Sequence, residues 1–485
     1  MRRIHGLIAG WTACIVCLAV STAQAEPADL SEAVPGQQAY RVQTTVKVDG
    51  QVQTTKSDGQ VVPLKLDVDS QYTYRERRLS GIGRDAQTLR SVRKYEVAKA
   101  RIQVAEQVST PRARETVSLL VAEGEREGVR LFSPAGPLTY HELELLRIPG
   151  DSLAVLALLP EKPISTGDTW TPPEWSLQFL TAVEAVESSK LDCVCETLTA
   201  QQARVKFEGK IVGGILGAAV EITVSGHYLF DVQARYLTRL EMTQHEKRSV
   251  SPVSPGLDLT AKVVMDRSRA AATGLAATDL EGIPLESNPA TSLVVLDAPA
   301  WGVRCYHDRR WHLFHQNPQV AVLRMIDRGS LVAQCNVSPI APAAPGQHVN
   351  EKQFQADVQK ALGDDFRQFL QSDEIPTKDG RFIYRVAAVG ETQQPVPAAA
   401  KSPKPDSQPG SAPDKKPEPP EQKVAILPVM WIYYLIASPA GKQTVLVFTL
   451  DPGLMERLDG QDFVIASGLE FPVPVAAPTP LSGNP

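Results

Sequence analysis

Residues 301–337 read WGVRCYHDRRWHLFHQNPQVAVLRMIDRGSLVAQCNV. The stretch divides into strands and turns. Val303–His307 is extended and ends at Asp308-Arg309-Arg310. Trp311, Leu313 and Phe314 lead a further strand. Gln316-Asn317-Pro318 turns the chain, Val320–Ile326 is again a strand, and Asp327-Arg328-Gly329 turns it back to Leu331–Val337. A cysteine lies near each end, Cys305 and Cys335.

Downstream the period changes. Phe354, Val358, Leu362, Phe366 and Phe369 lie three or four apart, which predicts a helix capped by Asn350. Phe382–Val389, Met430–Ala437 and Thr444–Leu450 read as strands. The apolar run Met430–Ile436 predicts a central strand covered on both faces. Asp451 and Pro452 open a closing helix with Leu454 and Leu458 inward. These elements define a body over 291–472. It contains an insertion, 393–423, with nine prolines and no aromatics, a composition that cannot bury enough surface to fold. Because loop closure grows slowly with length, the flanking strands can still be neighbours. The tail, 473–485, is expected to be disordered.

A second body is predicted upstream, at 39–268. Tyr40, Val42, Thr44, Val46 and Val48 share one strand face, and Arg41, Gln43, Thr45, Lys47 and Asp49 share the other. Leu64–Tyr74 repeats the pattern. Period two with one polar face predicts an antiparallel sheet wetted on one side. About nine strands follow this rhythm, interrupted by short helical pieces at Tyr140–Arg147 and 174–184. A 269–290 linker rich in alanine, threonine and proline separates the two bodies. The fold class expected is therefore α+β.

The N-terminal 25 residues have the form of a secretory signal: Arg2 and Arg3, an apolar run from Leu7 to Val20, and Ala23-Gln24-Ala25 before Glu26. Cleavage after Ala25 and a disordered leader at 26–38 are expected. The expected location is the periplasm or cell envelope of a bacterium. The net charge of −5 and pI near 6.0 argue against nucleic-acid binding.

Export permits disulfides, and Cys305 and Cys335 are the candidate pair. Cys193 and Cys195, two apart on a strand, are poorly placed to bond each other. They read as a soft-metal pair or as small buried hydrophobes. Residues 75–114 hold eleven Lys or Arg against four acids. Arg75, Arg77, Arg78, Arg90, Arg93 and Lys94 are candidates for contact with an anionic membrane surface or an acidic partner; a solvated strand face is the alternative.

No catalytic motif stands out. His141-Glu142-Leu143-Glu144-Leu145 lacks the second histidine of a zinc-protease helix. His307, His312 and His315, with Cys305, are the densest set of metal-ligand types, but their spacing matches no standard site. No metal, cofactor or catalytic residue is assigned.

Two coarse resemblances accompany these readings. The LPEKPISTGDTW loop (Leu159 to Trp170, preceded by Leu158) between two groups of strands resembles exported lipoprotein-carrier-like half-barrels. That resemblance implies an apolar ligand on a concave face, as against a face closed by its own core. The order from His307-Asp308-Arg309-Arg310-Trp311 through Leu331–Val337, the Phe354–Leu370 helix and Trp431-Ile432-Tyr433-Tyr434 resembles the PsbP/Mog1-type α/β/α sandwich. Members of that family serve as assembly and accessory modules, which implies a binding role. The expectation is a non-catalytic exported protein binding a lipid-like ligand or an envelope partner. The alternatives are an adaptor acting through 393–423 or, last, an unrecognised metal-dependent hydrolase.

Overall fold

The computed structural model describes residues 26–32, 38–55, 60–80, 85–395 and 424–472. The expected signal peptide, most of the insertion and the tail lie outside the described residues. The first body is a twelve-stranded sheet. From one edge it runs Gly128–Phe132, Leu119–Glu125, Arg90–Val104, Val61–Ser80, Ala39–Thr55 and Gly256–Ala270. It continues through Tyr236–Arg248, Ala218–Asp231, Gln202–Ile215, Ala185–Leu198 and Thr169–Trp170, with Gln107–Ser109 beside Arg90–Val104. Most neighbours are hairpins. The exception ties the ends of the body together, with Ala39 opposite Ala270 and Gln53 opposite Gly256.

The alternation sets what points inward. Tyr40, Val42 and Val46 are buried while Arg41, Gln43 and Lys47 are exposed. The inner face is covered by the chain's own segment 140–183, because an apolar sheet face needs a second layer. This segment carries α1 (Tyr140–Leu146), a fully buried turn at Ala154–Leu158 and α2 (Trp175–Thr181). Leu146, Leu156, Leu177 and Phe179 share one core with Val205, Phe207, Tyr228 and Met265. The inner face is thus filled by protein.

Residues 26–32 of the leader are not the disordered piece expected. Ala28 bridges Ile164, Leu30 is completely buried, and Glu32 is sealed in the sheet's interior. An apolar residue and an acid, each with a waiting partner, hold it down. The stretch 269–290 also has contacts of its own. The last strand continues to Ala270, and Leu275 and Leu280 pack with Val92 on the outer face.

The second body is built on a seven-stranded antiparallel sheet. Its order is Trp311–Gln316, Ala321–Asp327, Ser330–Ile340, Gln443–Leu450, Val424–Ala437, Phe382–Pro395 and Phe366–Glu374. In Val424–Ala437, Ile432, Tyr434 and Ile436 face one cluster and Trp431, Tyr433 and Leu435 the other. Pro395 stands opposite Val424, so the ends of the insertion are held side by side.

The α+β expectation, with an α/β/α sandwich, is corrected by this body, as the chain is mostly β. The helix expected over Phe354–Leu370 stops at Leu362: α3 is Glu351–Leu362, and Gly363 takes a positive φ of 53°. Phe366 and Phe369 then belong to an edge strand, although their spacing continued the helical period. The closing helix breaks at Asp459 and Gly460, both left-handed, into α4 (Met455–Leu458) and α5 (Gln461–Ser467). Twelve-, four- and seven-residue helices do not make two helical layers. Val303–His307 also leaves the main sheet. It pairs with Val294–Ala298, which in turn runs parallel to Leu138–Thr139 of the first body.

That parallel pairing joins the bodies. Arg309 Nη2 donates to Leu131 O at 2.6 Å, and Arg324 Nη1 donates to Pro252 O. Gly217 packs backbone to backbone against Gly329.

Candidate functional site

The basic residues of 75–114 do not form one exposed face. Arg93 has no exposed side-chain area, and Arg77 and Arg78 are 8% and 5% exposed. Arg75 pairs with Glu96 at 3.3 Å and Arg90 with Glu123 at 3.0 Å. Of the six candidates Lys94 alone is exposed. The inward arginines are matched by acids from distant segments. Arg93 donates Nη1 and Nη2 to Asp151 at 2.7 and 2.6 Å and Nε to Glu76 at 2.9 Å. Its guanidinium lies 5.1 Å from the Tyr74 ring. Arg267 donates to Glu32 at 2.5 Å, and Arg78 stands 3.4 Å from the same carboxylate. Burial alone would raise the Glu32 pKa, but Arg267 and Arg78 overcome it and hold the carboxyl below its ordinary range.

The candidate disulfide is also corrected. Cys305 and Cys335 are free, buried thiols in one core cluster, on strands of two different sheets. Burial pushes Cys305 up to about 12. Cys335 is raised too, by burial and then by Cys305. Cys193 and Cys195 are likewise free and buried. The histidines diverge. His307 is sealed, its Nδ1 hydrogen-bonded to Asp308 O at 2.9 Å and its Nε2 without a partner among the described residues. His315 sits at the surface beside Asn317. Among the described residues no group of three or more His, Cys, Asp or Glu could hold a metal ion. Glu142 of the His141-Glu142 pair is a helix-capping residue: it closes a capping box with Thr139 and pairs with Arg114 at 2.7 Å.

The feature that sequence reasoning missed is a cleft between the bodies, with a volume of about 600 Å³. The first body contributes Val129, Leu131, Leu143 and Leu216, and the second contributes Val294, Trp311 and Ile326. A smaller pocket of about 180 Å³ shares Val129, Leu131, Arg147 and Leu216 with it and reaches toward Gln244 and Glu246. Charged groups share this wall: Glu125, Glu127, Glu144 and Glu184, with Arg130, Arg147, Arg309, Arg310 and Arg328. Arg309 is half-buried, and its Nε donates to Ser292 O at 3.0 Å. Burial, and then Arg130, push its pKa down to about 10. His312 faces the same space, its ring 6.2 Å from Tyr140. Burial, then Arg147 and His307, push it down to about 4, so it is neutral at ordinary pH. The HDRRW turn was the available signal: it put two arginines, a tryptophan and a histidine where the second body meets the first.

No family model and no curated protein matches the chain. Among solved structures it is similar to one described as "Lipid-protein interactions in lipovitellin", with TM-score 0.29 and 9% identity, over 53% of this chain and 27% of that one. It thus spans about a quarter of that protein's length. It is also similar to a BenF-like porin from Pseudomonas fluorescens (TM-score 0.11, 6% identity, 85% and 97% coverage). OccK8 (OprE) of Pseudomonas aeruginosa gives TM-score 0.12 and 7% identity, with 85% and 96% coverage. At these TM-scores the likenesses carry no argument. Among the described residues no helix is long and apolar enough to cross a membrane.

Proposed function

We propose that this chain is a non-catalytic, exported envelope protein that holds an apolar ligand in the cleft between its two bodies. The observation that carries this reading is the cleft, whose volume of about 600 Å³ lies within the range of ligand-sized sites, about 300–1,000 Å³. Leucine, valine, isoleucine and tryptophan make its apolar lining, and four glutamates and five arginines share the wall. The inner face of the first sheet is covered by residues 140–183, which share its core. On this reading the apolar ligand lies at the junction.

Native mass spectrometry and uptake of the neutral dye N-phenylnaphthylamine by the purified full chain test this. Dye uptake or a co-purified lipid mass is expected. Leu143→Trp, which fills the cleft, should abolish either. Neither dye nor lipid on the wild type, or uptake indifferent to Leu143→Trp, would reject the reading. An adaptor role through 393–423 is the second reading. It is supported by the pairing that presents both ends of the insertion at one tip of the sheet.

A further inference from the structure

The cations of the cleft are not all answered by its acids. Arg130 is paired with Glu125, and Arg310 with Asp308 at 3.0 Å. Glu184 accepts from the Leu216 backbone at 2.8 Å, and Glu127 and Glu144 are exposed. Arg309 differs from its neighbours. Both of its hydrogen bonds end on main-chain carbonyls, Ser292 O and Leu131 O, and it makes no ion pair among the described residues. Carbonyl oxygens orient a guanidinium without neutralising it. Arg147, on the same wall, likewise donates to a carbonyl, Ala182 O, at 3.1 Å.

Guanidinium has five N–H donors. Arg309 uses Nε and one Nη2 hydrogen, so the edge formed by Nη1 and the second Nη2 hydrogen remains. That edge has the fork geometry that takes a carboxylate through two parallel hydrogen bonds. A half-buried cation beside leucine and valine is stabilised by an anion that brings its own apolar body. Arg147 and Arg328 are exposed, so Arg309 is the half-buried guanidinium of this wall that makes no ion pair among the described residues, and one such fork takes a monoanion.

Resting on the reading of the cleft as a binding site, we infer that its ligand is a long-chain carboxylic acid. The carboxylate sits on Arg309, and the alkyl chain lies along Val129, Leu131, Leu143, Leu216 and Val294.

The test is displacement of N-phenylnaphthylamine from the purified full chain by palmitate and by hexadecanol, which share a chain and differ in charge. Palmitate is expected to compete at least about ten-fold more tightly, a factor equivalent to about 1.4 kcal/mol. Arg309→Gln should erase that preference, read as the ratio of palmitate to hexadecanol competition on the same variant. Equal competition by the two on the wild type overturns the inference, as does a preference that survives Arg309→Gln. If Arg309→Gln does not fold, the wild-type comparison still decides. A failure of the underlying reading looks different, because the dye itself would then not bind.

Discussion

Arg267 Nη1 stands 2.5 Å from Glu32 Oε1, with the two side chains 0% and 2% exposed. The residues are 235 positions apart. One lies in the N-terminal segment and the other on the last strand of the first sheet, so the contact closes that body on itself. Removing one partner of a buried pair leaves an uncompensated charge and costs about 3–5 kcal/mol. Glu32→Gln is expected to lower stability by that amount at neutral pH, read by urea unfolding. Because the folded pKa of Glu32 is depressed, its contribution is present above the unfolded value of about 4.3. It is lost as pH falls through the folded one. The gap between wild type and Glu32→Gln should therefore narrow in acid, and a gap that widens would show that Glu32 is not held as the anion.

Arg93 and Lys94 are adjacent and face opposite ways. Arg93→Gln strands Asp151 and Glu76 in the interior and is expected to cost about 3–5 kcal/mol. Lys94→Gln touches solvent and should stay within about 0.5 kcal/mol of wild type. Parallel unfolding curves check both. Equal effects would mean that the inward and outward faces of this strand are misassigned.

Gly217 and Gly329 meet across the bodies, both with positive φ, 75° and 74°. A Cβ at Gly217 would stand 2.5 Å from Gly329 O, whereas one at Gly346, φ 72°, meets nothing within 4 Å. Gly346→Ala bears backbone strain only, about 1–3 kcal/mol. Gly217→Ala bears that and a clash with main chain. It is expected to unfold at lower urea than Gly346→Ala and to change dye uptake, since both glycines line the cleft.

His312 is held neutral by burial, Arg147 and His307, against a smaller opposing pull from Asp308. Its folded pKa of about 4 lies below the unfolded value of about 6.5. The unfolded chain then binds the extra proton between those values, and stability falls as pH drops through that window. Histidine chemical shifts should show one ring titrating near 4. His312→Gln should flatten the pH dependence of stability between about 4 and 6.5.

The sequence by itself determined the strands of the first body and most of those in the second. Where one sheet face is wet and the other packed, alternation such as Tyr40, Val42 and Val46 against Arg41, Gln43 and Lys47 is written into neighbouring positions. It determined likewise that Met430–Ile436 would be covered on both sides. What it left open was which charges lie inside. Counted along the chain, Arg78 and Arg93 look like a basic patch, because Glu32 and Asp151, which neutralise them, arrive from 46 and 58 positions away. Nor could a local period tell that Phe366 and Phe369 would leave the helix. Gly363 and pairing with Phe382–Pro395 decided that. The cleft belongs wholly to the tertiary structure: it exists because Val294 pairs with Leu138, a contact between two short strands that no local pattern encodes.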